Sequence, residues 1–300
     1  MTVNSPAPQT SRSRFGWLLL ILLLALFVGL NVVYESSAQT TTLRSGPPGA
    51  LLYAAGFDGF SDEWQTYAGR LSAQIEDGVL RLRIDSDSST AYSAALPSYA
   101  DFDTSVRATA VDGPIDNAFG LLFRLTSDQD GCDMPLRLLC DLNAIPLLSI
   151  PLRLAFPPQA ARQGYYLFLI SSDGYYSLWR GGDAPRKISA WIASDAIRQG
   201  LGATNEIRVV GRGDRFQFFI NGQAVALCIP DDPAAESTYF GGNCVQGQMR
   251  MEYVDDSFPQ GQLALAAQST QSGGAGVIVE FDHFIVTSPQ VGDSTAGQRT

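Results

Sequence analysis

Tyr165-Tyr166-Leu167-Phe168-Leu169-Ile170-Ser171-Ser172-Asp173-Gly174-Tyr175-Tyr176-Ser177-Leu178-Trp179-Arg180 sets two runs rich in aromatic and aliphatic residues on either side of Ser172-Asp173-Gly174. An Asp-Gly step between such runs is a tight-hairpin signal, because glycine takes the positive φ that the turn demands. The pattern repeats outward in both directions. V-L-R-L-R-I, ending at Ile84, follows an Asp77-Gly78 turn and alternates like a half-buried strand. Asn117 to Leu125 is apolar on both faces and predicts a central strand. Asn205 to Val210 and Arg215 to Ile220 flank Gly211-Arg212-Gly213-Asp214, and Asn221-Gly222 turns the second run into Gln223 to Leu227. Leu263 to Ala267 and Val277 to Val286 complete the set, and one short helix is expected at Ser194 to Gln199, capped by Ser194. Many short strands and regular turns predict an all-β protein, an antiparallel jelly-roll β-sandwich.

One N-terminal helix is added to that scheme. Fourteen of the nineteen residues from Phe15 to Val33 are Leu, Ile, Phe or Val, and none is charged. At ~1.5 Å per residue such a run spans roughly 28 Å, close to the ~30 Å hydrocarbon core of a bilayer. Arg12 and Arg14 precede it and Glu35 follows, so the positive-inside rule puts the rest of the chain outside the cytoplasm. A cleaved signal peptide is the competing reading, with Ser36-Ser37-Ala38 as its small-residue site, but signal cores are about 7–15 residues long. The expected organisation is a cytoplasmic tail (1–14), a single-pass plasma-membrane anchor (15–34) and a polar stalk (35–50). The β domain (51–288) and a disordered tail (289–300) follow.

Thirty acidic residues against 20 basic ones give a net charge of −10, which repels phosphate backbones and excludes nucleic acid as a partner. Four cysteines in an oxidising compartment allow three pairings. The local one, Cys132 with Cys140 and Cys228 with Cys244, closes two short loops and is preferred. Their spacing lacks the close cysteine pairs of a zinc site.

Phe57-Asp58-Gly59-Phe60 with Trp64, Ile75 to Leu80, Gly120 to Arg124, Tyr165 to Tyr176, Asn205 to Val210, Phe219 to Gly222 and Val279 to Val286 occur in that order. In this succession residues 50–288 resemble the concanavalin A-like lectin/glucanase superfamily. The nearest likeness is to laminin-G-like and 3-keto-disaccharide-hydrolase-type jelly rolls. The resemblance implies a two-sheet fold and carbohydrate as ligand class. Inserts at 127–163 and 227–255 depart from the pattern, each with its own cysteine pair. Within the first, Pro135 to Pro158 is strongly apolar and broken by Pro146, Pro151 and Pro157. It is expected to pack over an open edge or face of the sandwich, or to expose an apolar patch to a partner or the nearby membrane.

The candidate site residues follow from their chemistry. Tyr175, Trp179 and Trp191, with Tyr176, are read as core packing or as a platform for sugar rings. Glu280 and Asp282, two apart on a strand, point the same way about 6.6 Å apart, within the range of paired glycosidase carboxylates. Glucanases of the superfamily present E-x-D-x-x-E there, whereas this chain has Ile285 at the last position. Asp58 and Asp282 are candidates for structural calcium, the sole cofactor considered. His283, the only histidine, is placed on the core face with Val277, Val279, Phe281 and Ile285.

The reading that results is a membrane-anchored extracytoplasmic module that binds carbohydrate or a protein partner without catalysis. The alternatives are a glycoside-cleaving enzyme using Glu280 and Asp282, and a structural or assembly-related surface protein.

Overall fold

A computed structural model of the chain describes residues 42–59, 62–126, 164–183, 185–270 and 276–290. The described residues form one compact unit. The apolar run 15–33, Cys132, Cys140 and the stretch 135–158 lie outside them. Among the described residues no helix is long and apolar enough to cross a membrane.

The principal strands are β1 (Leu51–Ala55), β2 (Leu71–Glu76), β3 (Val79–Ile84), β4 (Thr90–Tyr99), β5 (Phe102–Asp112), β6 (Ala118–Thr126) and β7 (Gly164–Ser171). They continue as β8 (Tyr175–Gly182), β9 (Thr204–Arg212), β10 (Arg215–Ile220), β11 (Gln223–Val225), β12 (Gly261–Gln268) and β13 (Val277–Thr287). The first sheet runs Leu43–Arg44, β4, β12, β6, β7, β8, Arg186–Lys187, with Ile192–Ala193 also on β8. The second runs β11, β10, β9, β5, β13, β3, β2, with β1 on β13 and Tyr253–Val254 on β10. The result is a jelly-roll sandwich.

Alternation supplies the core between the sheets. Phe119, Leu121, Phe123, Tyr166, Phe168, Ile170, Tyr176 and Leu178 point in from the first sheet, and Leu80, Leu82, Val106, Ile207, Val209, Phe216, Phe218, Val279 and Phe281 from the second. Burying each such side chain contributes roughly 1.5–3 kcal/mol. Phe123 joins the layers, its ring 5.1 Å from Phe216 across the core and 5.3 Å from Tyr166 beside it. The expected Asp77-Gly78 and Asn221-Gly222 turns are present, with φ of 54° and 79° in the first and 49° and 78° in the second. Two successive positive φ values suit the right-handed twist of the strands they join.

Three expectations change. Ser194 to Gln199 forms a turn and no helix. Ser194 does accept the Ala196 N–H at 3.2 Å through Oγ. The Arg198 N–H, which would extend the helix back to Ser194, instead donates to Asn205 Oδ1 at 2.8 Å. Leu43 and Arg44, within the expected stalk, add a parallel strand to β4 opposite Ser98 and Tyr99. His283 leaves the core face altogether. The register of β13 against β5 shifts between Asp282 and Ile285, and His283 sits at φ +51°. Beyond this bulge Phe284 and Val286 point inward, while His283 and Ile285 are exposed. The bulge falls where β13 changes neighbours, from β3 through Phe281 to β1 from Phe284 onward, and the extra residue absorbs the hand-over.

The insert 227–255 forms two small hairpins, Leu227–Pro230 with Gly247–Arg250 and Thr238–Phe240 with Asn243–Val245. The expected Cys228–Cys244 disulfide staples them.

Candidate functional site

Strand β8 distributes its aromatic residues by parity. Tyr176 and Leu178 enter the core, while Tyr175, Ser177 and Trp179 lie on the outer face of the first sheet. Trp191 immediately precedes Ile192, which pairs with Tyr176. Ser177 Oγ holds this passing segment by donating to Ser189 O at 2.7 Å, and Ser194 N donates to Gly174 O at 2.9 Å. Trp179 and Trp191 pack with Tyr92, Leu125 and Tyr165 against an apolar patch of Ala94, Ala118, Leu122, Leu167, Leu169, Ala264 and Ala266. Tyr175 stands free of that patch and is 42% exposed. Tyr175, Trp179 and Trp191 therefore share one margin of one sheet, and Tyr176 belongs to the core.

The carboxylates occupy the outer face of the other sheet. Glu280 Oε1 accepts from Arg81 Nη2 at 2.7 Å and Nε at 3.1 Å, and Arg81 also pairs with Glu76. These bonds, that to Glu280 foremost, raise the Arg81 pKa further above its ordinary value. Arg81 and Glu280 help line a groove of about 400 Å³ with Gln74, Glu76, Arg83 and Asp112. Asp282 turns back on its own bulge: Oδ1 accepts the His283 N–H at 2.6 Å and Oδ2 meets His283 Nδ1. Both carboxylates thus hold sheet partners, and neither faces the aromatic margin.

The calcium expectation rests on Asp58 and Asp282. Asp58 lies beside Gly78, and the carboxylate of Asp282 is engaged by the bulge. Among the described residues no three acidic, imidazole or thiol groups gather as a metal site.

Sequence reading missed Arg81, which lies 199 residues from Glu280 in the chain. Its signal was available in V-L-R-L-R-I, whose alternation sends Arg81 and Arg83 to the polar face. The Arg208–Asp103 fork, with Nε to Oδ1 and Nη2 to Oδ2 both at 2.6 Å, left no such trace, because the β5–β9 register creates it.

No family model matches the chain, and no curated protein matches it. Solved structures do. A Bacillus subtilis protein of unknown function with a galectin-like fold superposes with a TM-score of 0.50 at 12% identity, covering 81% of this chain and 97% of its own. The carbohydrate-binding module CBM66 from Bacillus subtilis gives 0.44 at 15% identity, covering 75% and 96%. A Bacillus licheniformis β-glucanase gives 0.46 at 7% identity, covering 81% and 100%. At such identities the likeness speaks for the fold alone, a two-sheet jelly roll.

Proposed function

We propose that this concanavalin A-like jelly roll is a carbohydrate-binding module that cleaves nothing and is held outside the cytoplasm by residues 15–34. The observation that carries the reading is a separation. The three rings of the aromatic margin and the two candidate carboxylates lie on opposite outer faces, with the core between them. Aromatic rings bind the apolar faces of sugars with little loss of side-chain entropy, so Tyr175 and Trp191 are the stacking residues. Glycoside cleavage needs two carboxyl groups flanking one scissile bond. Here Glu280 is tied to Arg81 and Asp282 to His283, away from any ring that would hold the sugar. The ligand class rests on the resemblance and on the rings.

Glycan-array screening of the full chain, followed by calorimetry on the best hit, tests this. Tyr175→Ala and Trp191→Ala are each expected to weaken binding about tenfold, while Glu280→Gln leaves it unchanged. Release of reducing ends that Glu280→Gln abolishes would replace the binding module with the enzyme. Deleting residues 15–33 should move the protein from the membrane fraction to the soluble one.

A further inference from the structure

Strand β6 breaks its own alternation at Arg124. Leu122 faces outward and residue 124 would follow it. Instead Arg124 takes φ +57°, and the β6–β7 register shifts between Phe123 and Thr126. The bulge turns the guanidinium into the space between the sheets, where its side chain is fully buried. Gly261 on β12 permits this, since a Cβ there would stand 2.5 Å from the Arg124 carbonyl carbon and 2.6 Å from Leu125 O. A left-handed arginine beside an obligatory glycine is a costly way to bury a cation, and such strain collects at functional positions.

The surroundings leave most of that cation unanswered. Nη2 donates to Gly213 O at 2.8 Å. Nε and Nη1 have no acceptor among the described residues. The walls are the Phe102 and Phe216 rings, 5.7 and 5.5 Å from Cζ, which offer π faces but no lone pairs. The neighbouring acid, Asp101, is exposed and accepts the Gly213 N–H at 2.8 Å, so it braces the same turn from outside. Buried polar groups are almost always paired, and a buried charge calls for an opposite one.

We propose that Arg124 anchors an internal anion site between the sheets, in which a small monovalent anion of chloride size accepts from Nε and Nη1. Water would supply an acceptor but no compensating charge.

Two measurements on the full chain decide the matter, with chloride and bromide as the probes. Replacing gluconate by chloride at constant ionic strength should raise Tm by roughly 3–5 °C, the shift expected from about tenfold saturation of one site. Arg124→Met should lose that difference, and Arg124→Lys should keep part of it. Anomalous diffraction from bromide-soaked crystals of the unmutated protein should place a peak beside Arg124, a result that stands even if Arg124→Met fails to fold. Equal Tm in gluconate and chloride, or a water or an acidic side chain from residues 127–163 at the guanidinium, would overturn the proposal.

Discussion

Across five strands of the first sheet one outer row reads Ala94, Ala264, Leu122, Leu167, Trp179, and across five of the second a comparable row reads Gln74, Arg81, Glu280, Thr109, Thr204. Both rows are outward-facing positions on antiparallel strands, yet their chemistry is opposite. Ala94, Leu122, Leu167, Ala264 and Ala266 are at most 5% exposed, so this side of the first sheet is a second interior layer. The second sheet instead carries cross-strand ion pairs and a polar groove. Among the described residues, solvent access at the first sheet is consequently greatest at its margin, where Tyr175 emerges. Side-chain parity alone distinguishes a face from its reverse; burial decides whether the face meets solvent.

Charge substitution gives the sharpest test of that contrast. Leu122→Asp would bury an unpaired carboxylate and should cost about 4 kcal/mol or prevent folding, measured by urea denaturation. Gln74→Asp, beside Arg81 on the other sheet, should change stability by no more than about 0.5 kcal/mol. Similar small losses in both would erase the distinction between the faces.

Alkali should attack the shared interior before either outer face. Burial, helped by Glu63, pushes the Tyr53 hydroxyl up to about 12, and burial raises Tyr99, Tyr176 and Tyr253 as well. The folded state keeps these groups neutral where the unfolded chain ionises them, near pH 10. Their stabilisation is therefore complete below pH 10 and is lost as pH rises through the folded values. Tyrosinate absorbance should appear together with unfolding above pH 10, and gradual ionisation of an intact fold would contradict the burial.

A smaller loss than that of Leu122→Asp belongs to the second sheet's ion pairs. Arg208→Met removes the partner of Asp103 in a half-buried fork and should cost about 1–2 kcal/mol. Molar salt should narrow the difference between variant and parent, because part of the attraction is screened. A loss as large as that of Leu122→Asp would mean that this face, too, behaves as an interior.

Much of the fold is readable along the chain because its signals are local. Asp77-Gly78, Asp173-Gly174 and Asn221-Gly222 mark hairpins, and Asn117 to Leu125 declares a strand buried on both sides. His283 escaped this reading. In F-D-H-F-I-V nothing announces a bulge, so strict alternation assigns the histidine to the core. The bulge exists because β13 trades β3 for β1 at that point, a long-range event. The candidate site was legible in residue type but not in arrangement, since Tyr175 and Glu280 both lie on outward parities of their strands, and parity does not say which sheet a strand joins.

Residue order settled the hairpins, the two-layer β body, the apolar N-terminal run and the inward residues of most strands, since each depends on neighbours a few positions apart. Which sheet each strand joined, which outer face stayed wet, and where Arg81, Arg124 and Asp103 found or lacked partners were decided only on assembly. Those outcomes depend on register between strands up to about 200 residues apart, which no local pattern encodes.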